Sequence, residues 1–474
     1  MTLARTAENL GDVLVLGLGK TGVDVARYLL GLGDRVGSVT VYGGSASTEG
    51  DASRELESLG ARVVLGSEDV EGSYDLAIAS PGISEFCPFF LSARDHAREI
   101  IGEPEFAWRE SPRDWVAITG SNGKTTTTSL TTALLHAAGR QAVAVGNIGN
   151  LCTDEVSGRT DGEWFVAELS SFQLATTRLL HPRVAALLNV TPDHVEWHGS
   201  LEAYAQAKEK IFQNLDGGDL AVLYQDDEYC RGVAARLATR GVRTLMVSAT
   251  VEPEGPDAAF VRDGVLVVRL AGRESELSRV EDLTLKGTHN VVNALFSCAM
   301  ALELGCDARE LTDALQGFQA LEHRNEPVAT VDGVLYVNDS KATNTDSVEK
   351  ALVAYEAGHV IVLLGGHDKG TDLASLSRLV ARHCKAAVCF GAAGERIARA
   401  VEDAAVLESS NLAVIRAPHL REAFDAAHEA AREGDVVLLS PACSSFDEFR
   451  NMAERGRVFK GLVAGLSDSD KAEL

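Results

Sequence analysis

The segment from Val116 to Thr127, VAITGSNGKTTT, constrains the fold of this chain more than any other. Its first residues predict a buried strand, and the hydroxyl residues after Lys124 predict the start of a helix. Between them lies a glycine-containing turn whose backbone N–H groups can point at an anion. Lys124 adds a positive charge, and Thr125 adds a hydroxyl that can ligate Mg²⁺. We therefore predict a loop that holds the phosphates of a nucleoside triphosphate.

One position departs from the general phosphate-loop pattern G-x-x-x-x-G-K-[ST]. The pattern has its first glycine where this chain has Ile118, so a plain surface turn is the alternative interpretation. The complete order of strand, turn, Gly-Lys-Thr and helix favours phosphate binding.

Length, charge and cysteine content limit the class of protein. A chain of 474 residues is long for one hydrophobic core, so we expect about three domains. The net charge of −25 argues against nucleic acid or an anionic membrane as a partner. We find no signal peptide, no membrane-spanning apolar run and no C-x-x-C pair, so we expect a cytoplasmic protein with reduced thiols. No amphipathic helix is left over for a partner subunit, and a monomer is expected.

Strand and helix patterns alternate along most of the chain, which predicts an α/β fold with parallel sheets. We predict three domains: residues 1–102, which are Rossmann-like; residues 103–320, with a phosphate-loop parallel or mixed sheet; and residues 321–474, again Rossmann-like. Between about 215 and 285 the pattern changes to short strands joined by polar loops. The predicted strands are Val13–Leu16, Val39–Val41, Arg62–Leu65, Leu76–Ala79, Trp115–Thr119, Ala142–Val145, Trp164–Ala167, Val184–Leu188, Leu335–Val337, His359–Leu364, Ala387–Phe390, Ala413–Ile415 and Val436–Leu439.

A second glycine motif follows the first predicted strand. Gly17–Gly22 fits G-x-G-x-x-G, which by itself suggests a dinucleotide. Binding of NAD also needs an acid at the end of the second strand, and here that strand ends Val41-Tyr42-Gly43-Gly44. We therefore favour another ligand that carries phosphate. Ser80–Ile83 ends a later strand and is expected to lie beside the same loop, unless it is a plain turn.

Two polar residues in the central region come near the ends of predicted strands. Glu168 follows the strand Trp164–Ala167, and His194 follows a strand that ends near Val190. The carboxyl ends of parallel strands meet at one edge, so these side chains could hold a divalent cation beside the phosphate loop. Lys208 lies on a predicted helix, Leu201–Asn214, but its spacing does not favour it over Lys210 as a functional residue.

Three polar loops in the third region also follow predicted strands. They are Asn338–Asn344, Gly365–Lys369 and Ser440–Ser445. A helix cap or a turn would explain one of them, but three on one edge favour ligand contacts. Cys443 has no base beside it in the sequence, so no thiol nucleophile is proposed.

Together these motifs resemble those of the Mur ligase family. The resemblance covers nearly the whole chain, and the family's phosphate loop also lacks the first glycine of the general pattern. The segments that carry it are Gly17–Gly22, Ser80–Ile83, Thr119–Thr126, Gly146–Gly149, Glu168–Leu174, Asn189–His194, Ala207–Lys208, His289–Asn290, His323–Arg324, Asn338–Asn344, Gly365–Gly366 and Ser440–Ser445.

The resemblance implies an ATP-dependent ligase of peptidoglycan precursor synthesis. Its substrates would be ATP, UDP-N-acetylmuramoyl-L-alanine and D-glutamate, with two Mg²⁺ ions as cofactors. ATP would phosphorylate the substrate carboxylate, the amine of D-glutamate would attack the acyl phosphate, and phosphate would leave. The first domain would bind the uridine nucleotide, the second ATP, and the third the amino acid, closing on ATP.

The resemblance also implies roles for single residues. The catalytic residues would be Lys124, Glu168, His194 and Lys208. The metal ligands would be Thr125, Glu168, His194 and a carbamylated Lys208. ATP would contact Gly120, Asn122, Gly123, Lys124, Thr125, Thr126, Asn290, Asn293, Arg324 and Asp339. The UDP-linked substrate would contact Thr21, Ser80, Gly82 and Asn147. D-glutamate would contact Thr343, Lys369, Ser445 and Phe446. Arg455 matches an arginine of the family pattern and is assigned no direct role.

Two departures concern substrate recognition. Family members carry an acidic residue after the second strand that contacts uracil, and this chain has Tyr42-Gly43-Gly44-Ser45 there. The backbone and Tyr42 are the candidates for that contact. Met452 stands where a phenylalanine often follows the last loop.

Other functions remain open at this stage. A sister ligase would use another amino acid, although the Asn-Pro-Arg element of the diaminopimelate-adding enzyme is absent and Asn122 replaces the histidine typical of the alanine-adding enzyme. A folylpolyglutamate synthase would lack the first domain. A nucleotide-dependent switch or motor would not need the set Glu168, His194 and Lys208. An NAD-dependent oxidoreductase is disfavoured because no acid follows Val41.

Overall fold

The computed structural model describes residues 9–148, 150–192, 195–285, 287–318, 322–367 and 370–469. These residues form two compact units. The first contains the described residues of 1–283 and 292–317, and the second those of 284–291 and 318–474. The first unit holds two sheets and the second holds one, so all three predicted α/β regions have a sheet. The division into three domains stays a prediction.

The first sheet has five parallel strands in the order β3-β2-β1-β4-β5. Its strands are β1 (Gly11–Leu16), β2 (Val36–Tyr42), β3 (Arg62–Val64), β4 (Leu76–Ala79) and β5 (Ile100–Gly102). The helices of this part of the chain are α1 (Lys20–Gly31), α2 (Asp51–Ser58), α3 (Pro88–His96) and α4 (Glu103–Glu110). Because β1 lies between β2 and β4, the loops after β1 and β4 meet at one edge of the sheet.

The second sheet has nine strands in the order β14-β13-β12-β11-β10-β9-β6-β8-β7. The strands are β6 (Trp115–Thr119), β7 (Ala142–Gly146), β8 (Trp164–Glu168), β9 (Val184–Leu187), β10 (Leu220–Tyr224), β11 (Arg243–Ser248), β12 (Ala258–Arg262), β13 (Val265–Leu270) and β14 (Arg273–Arg279). The helices are α5 (Lys124–Ala137), α6 (Cys152–Val156), α7 (Ser171–Ala175), α8 (Val195–His198), α9 (Leu201–Glu209), α10 (Glu228–Thr239), α11 (Thr288–Glu303) and α12 (Ala308–Gly317). Strands β6 to β12 pair in parallel, and β13 and β14 extend the sheet in antiparallel fashion.

The third sheet has six strands in the order β15-β16-β20-β17-β18-β19. The strands are β15 (Glu326–Val331), β16 (Val334–Asn338), β17 (Val360–Gly365), β18 (Cys384–Phe390), β19 (Ala413–Arg416) and β20 (Val436–Ala442). The helices are α13 (Thr345–Leu352), α14 (Ala374–His383), α15 (Gly394–Leu407), α16 (Leu420–Ala430) and α17 (Met452–Ser469). Only β15 is antiparallel to its neighbour.

The central strands are buried on both faces, which explains why they appear in the sequence as continuous apolar runs. Every residue of β6 and of β17 is buried. All eight cysteines carry free thiols, and seven of them are buried. No described helix is both long enough and apolar enough to cross a bilayer.

The structure adds detail in two places. The α-helix predicted over Leu201–Asn214 ends at Glu209 and continues as a short 3₁₀ turn, Lys210–Phe212. The region from 215 to 285, predicted as short strands and loops, also contains the twelve-residue helix α10.

The hairpin β13–β14 at the edge of the second sheet carries a network of opposite charges. Arg262 and Arg269 both form ion pairs with Glu252 and Glu274. These side chains are partly exposed, so the pairs contribute little to stability. They cover this edge of the sheet with charge.

A buried carboxylate on α4 fixes the segment that leads into β9. Glu105 is fully buried and accepts backbone N–H groups from Arg178, Leu179 and Leu180 at 3.1, 2.9 and 2.9 Å. It also accepts the Nε–H of Arg109 at 2.9 Å. A single side chain therefore accepts three consecutive backbone amides, of which that of Leu180 is buried.

We predict that Glu105→Ala lowers the free energy of unfolding by about 3 kcal/mol, because it removes the acceptor of three backbone amides and leaves Arg109 paired with Glu99 alone. The measurement is the urea midpoint followed by circular dichroism. The control is Glu57→Ala, which removes an exposed glutamate from α2. Equal midpoints for the two variants would contradict the role given to Glu105.

Candidate active site

The turn after β6 has the backbone of a phosphate loop. Gly120 and Gly123 have φ angles of +157° and +83°, which residues other than glycine rarely adopt. A Cβ on Gly123 would lie 2.5 Å from the Oδ1 atom of Asn293 on α11. Asn293 therefore packs directly on the loop, and its contact with ATP stays a prediction. Thr125 and Thr126 are buried in the first turn of α5.

The strand end at β9 holds the loop in shape. Asn189 accepts the backbone N–H of Asn122 at 2.9 Å and donates to its carbonyl oxygen at 3.1 Å. The hydroxyl of Ser121 lies 2.8 Å from the hydroxyl of Tyr204 on α9. Asn189 and Tyr204 were given no role from the sequence. For Asn189 the available signal was its position in the segment Asn189–His194.

Two lysines converge on one carbonyl oxygen of this loop. The Nζ of Lys124 donates to the carbonyl of Gly120 at 2.7 Å and to that of Ser121 at 2.9 Å. Lys208, which is 1% exposed, donates to the same Gly120 oxygen at 2.8 Å. Lys210 instead donates to Ala175. Lys208 thus contacts the phosphate loop, a placement that spacing left open, and its functional role stays a prediction.

A buried carboxylate lies at the end of the neighbouring strand β8. Glu168 is 1% exposed, and its Oε1 accepts the side-chain amide of Asn147 at 2.8 Å. Its Oε2 atom is buried and has no hydrogen-bond partner among the described residues. An orphaned carboxylate oxygen is a suitable ligand for Mg²⁺. His194 lies outside the described residues.

The first sheet places its two predicted loops together. Gly17 has a φ of +96°, and a Cβ there would lie 2.8 Å from the Oγ of Ser80. A Cβ on Gly22 would lie 1.9 Å from the carbonyl oxygen of Gly17, so only glycine allows the helix to start this close to the strand. The Ser80 hydroxyl is buried without a described partner. Thr21 is half-buried, and Gly82 is exposed.

Tyr42 is not available for the ligand contact considered from the sequence. Its side chain is 1% exposed in the apolar core beside α3. Its hydroxyl accepts the backbone N–H of Glu71 at 3.0 Å. Strand alternation turns Tyr42 inward, so the expectation about its side chain was wrong.

In the second unit, Asp339 follows β16 and is buried. It accepts the hydroxyl of Ser440 at 2.7 Å and the backbone N–H of Asn325 at 3.0 Å. Burial raises the pKa of Asp339 to about 6, although Ser440 and Arg324 oppose the rise. Asn290 is also buried in this unit, where its N–H donates to Gly287 at 2.9 Å.

The residues predicted to receive the amino acid differ in exposure. Ser445 is buried, Thr343 is half-buried just before α13, and Phe446 is 69% exposed. An exposed phenylalanine after β20 is available for a ligand contact. Lys369 lies outside the described residues.

Arg455, which was assigned no role from its sequence pattern, links two loops in the structure. Arg455 is fully buried and donates to the carbonyls of Ser340, Cys443 and Ser444 at 2.9, 3.1 and 3.3 Å. Its Nε–H donates to the Ser340 hydroxyl at 3.0 Å. Burial lowers the pKa of Arg455 to about 10. This guanidinium joins the loops after β16 and β20.

Two family models match most of this arrangement. The Mur ligase middle domain matches residues 118–301, and the Mur ligase glutamate ligase domain matches residues 323–443. A UDP-N-acetylmuramoylalanine–D-glutamate ligase of Geobacter metallireducens is 40% identical over 97% of this chain and 98% of its own length. The chain belongs to the Mur ligase family.

Further relatives agree with this assignment. A ligase of the same name from Koribacter versatilis is 38% identical over 97% of this chain and 98% of its own length. Among solved structures, this Mur ligase is similar to the UDP-N-acetylmuramate–alanine ligase MurC of Thermotoga maritima, with a TM-score of 0.56 and 21% identity over 97% and 99% of the two chains. MurF of Acinetobacter baumannii gives 0.58 and 18% over 85% and 92%. These two likenesses concern the fold.

We predict that Arg455→Lys lowers the free energy of unfolding by about 2 kcal/mol, because one ammonium cannot replace the guanidinium fork at its buried acceptors. Hydrogen exchange should rise in residues 440–449, and the thermal midpoint should fall. Arg457→Lys, on the exposed face of α17, is the control. Unchanged exchange in that segment would show that Arg455 does not hold the loops.

Proposed function

We propose that this Mur ligase uses ATP to join D-glutamate to UDP-N-acetylmuramoyl-L-alanine in peptidoglycan precursor synthesis. The observation that carries the proposal is the 40% identity, over nearly the whole of both chains, with a ligase of that name. The converging groups at the ends of β6 and β8 support it, because they suit phosphoryl transfer to a carboxylate.

The proposed ATP site is built on the phosphate loop. Gly120, Asn122 and Gly123 would present backbone N–H groups to the phosphates, and Lys124 would turn from the loop carbonyls to the γ-phosphate. Phosphoryl transfer depends mainly on positioning and charge stabilisation, so no protein nucleophile is needed. The other proposed contacts of ATP are Thr125, Thr126, Asn290, Asn293, Arg324 and Asp339.

The reaction is proposed to run through an acyl phosphate. The substrate carboxylate attacks the γ-phosphorus of ATP, and ADP leaves. The unprotonated amine of D-glutamate then attacks the carbonyl carbon, phosphate leaves, and the amine loses a proton as the amide forms. Water must be kept from the acyl phosphate between these steps, a task suited to closure of the third domain.

The proposed Mg²⁺ ligands include the orphaned oxygen of Glu168. The hydroxyl of Thr125, in the first turn of α5, is proposed for one ion, and Glu168 with His194 for another. When bound, Mg²⁺ neutralises charge on the phosphates and the acceptor carboxylate. The chain's part is to hold Glu168 in place through Asn147.

Carbamylation of Lys208 would remove an electrostatic conflict. The ammonium groups of Lys124 and Lys208 both donate to the carbonyl oxygen of Gly120, so their two positive charges lie close together. Lys208 is buried and Lys124 is half-buried. Addition of CO₂ to Lys208 gives a carbamate anion, which ends this repulsion and supplies oxygen for the proposed metal site.

The other two substrates are assigned to the loops that follow strands of the first and third sheets, together with Asn147, which follows β7. We propose that Thr21, Ser80, Gly82 and Asn147 contact the UDP-linked substrate. Thr343, Lys369, Ser445 and Phe446 are proposed to contact D-glutamate. We also propose three domains with the boundaries given above, and a cytoplasmic monomer.

We predict that phosphate release from ATP with UDP-N-acetylmuramoyl-L-alanine requires D-glutamate. The assay offers D-glutamate, L-glutamate, meso-diaminopimelate or no amino acid in parallel. Lys124→Ala is the negative control, and its turnover of ATP should be reduced by roughly 10²-fold or more. Release with another amino acid would assign this chain to a sister specificity, and release by Lys124→Ala would contradict the phosphate-loop assignment.

We predict that Lys208→Ala is nearly inactive and regains activity when short-chain carboxylates are added, since these can replace the carbamate oxygens. Phosphate release is measured with and without acetate or propionate. Lys210→Ala is the matched control, because Lys210 donates to Ala175 and away from the loop. Full activity of Lys208→Ala without rescue would contradict the carbamate.

A further inference from the structure

A further buried carboxylate lies at the start of α4, two positions before Glu105. Glu103 is 1% exposed, and its Oε1 accepts the N–H and the hydroxyl of Thr153 at 2.6 and 2.7 Å. Its Oε2 is buried and has no hydrogen-bond partner among the described residues. A buried carboxyl group satisfied on one side only lowers stability, so its presence calls for a functional explanation.

The helix that Glu103 holds lies next to the predicted substrate contact. Thr153 is in the first turn of α6, which packs against both α1 and α4. Helix α1 begins beside the glycine loop of the first sheet. Asn147 precedes α6 by a few residues in the sequence. The backbone N–H of Asn147 donates to the carbonyl of Glu168 at 2.8 Å. Helix α6 thus connects the first sheet to the Asn147–Glu168 pair.

We propose that Glu103 is a positioning residue that fixes α6 on α4 and so holds Asn147 ready for the UDP-linked substrate. The proposal rests on the function and the Asn147 contact proposed above. Glu103 itself contacts neither the substrate nor Glu168.

Ionisation of Glu103 sets the strength of this anchor. Burial raises the pKa of Glu103 to about 7, although the hydrogen bonds from Thr153 oppose the rise. On α6, the carboxylate of Asp154 raises the pKa of Glu103 further, and the backbone N–H of Cys152 opposes the rise. The thiol of Cys152 is neutral because burial raises its own pKa. Helix α1 contributes Lys20, Asp24 and Arg27, which act on Asp154. Strands β4 and β5 carry no titratable side chain.

The direction of the pH effect follows from the raised pKa. The folded state keeps the proton to higher pH than the unfolded state, so Glu103 makes the protein less stable as the pH rises from about 4.5 to about 7. The hydrogen bonds from Thr153 to Glu103 instead become stronger as the pH rises, because a carboxylate accepts stronger hydrogen bonds than a carboxylic acid. Stability and substrate binding are therefore expected to respond to Glu103 in opposite directions.

The test compares Glu103→Gln with wild type in steady-state kinetics and thermal unfolding between pH 6 and 9. The KM for UDP-N-acetylmuramoyl-L-alanine should rise about fivefold or more, while the KM values for ATP and D-glutamate stay within about twofold. For wild type, kcat/KM for the UDP-linked substrate should fall below about pH 7, and this dependence should be absent in Glu103→Gln. The Tm of the variant should exceed that of wild type at pH 8.

Three variants in α6 test the same anchor independently of Glu103→Gln. Thr153→Val removes one donor and should raise the same KM even if Glu103→Gln fails to fold. Asp154→Asn should move the acid limb of wild type to lower pH, and Glu155→Gln on the same helix should change nothing. Equal KM values for Glu103→Gln, Thr153→Val and wild type, or an unchanged pH profile, would overturn the proposal.

A variant of Asn147 distinguishes the role proposed for Glu103 from the substrate contact proposed for Asn147. Asn147→Ala should raise the KM for the UDP-linked substrate. If it does and the Glu103 and Thr153 variants do not, Glu103 has no positioning role and the substrate assignment stands. If Asn147→Ala leaves that KM unchanged, both the Asn147 contact and the role of Glu103 are overturned.

Discussion

The carbonyl oxygen of Gly120 is the point on which the central site depends. It receives ammonium groups from the phosphate loop itself and from α9, a helix more than eighty residues further along the chain. The two glycines with positive φ angles turn this carbonyl toward both lysines, and Asn189 keeps the turn in that shape. The loop and the helix α9 are thereby fixed against each other, an arrangement that suits the proposed phosphoryl transfer.

Elsewhere the structure uses buried charged side chains to fix loops. Glu105 closes the turn before β9, Glu103 anchors α6, and Arg455 joins the loops of the second unit. Each group spans elements that are distant in sequence. Such contacts do little for net stability compared with apolar packing, but they specify one geometry where a backbone loop alone would have several.

The sequence predicted the repeating α/β architecture because buried parallel strands leave clear apolar runs. The strands around the phosphate loop were found within one or two residues, and the glycine motif of β1 was correctly placed beside Ser80. The three-residue strand β5 and the helix α10 were not recognised, since the first is too short for a pattern and the second lies in a region that was interpreted as short strands and polar loops. Lys208 and Arg455 could not be selected from local sequence, because their roles depend on partners that only the tertiary fold brings near.

The hairpin β13–β14 has a consequence for the solution behaviour of this Mur ligase. An open nine-stranded sheet ends in β14, whose outer edge pairs with no other described strand and could recruit a strand from another chain. Charged side chains occupy four of the seven positions of β14, and Glu274 among them belongs to the network with Arg262 and Arg269. An incoming strand would have to strip water from these ions and break their pairing. The hairpin thus protects a large sheet against aggregation, and replacing its charges by threonine or valine would expose an amyloid-like edge without touching the active site.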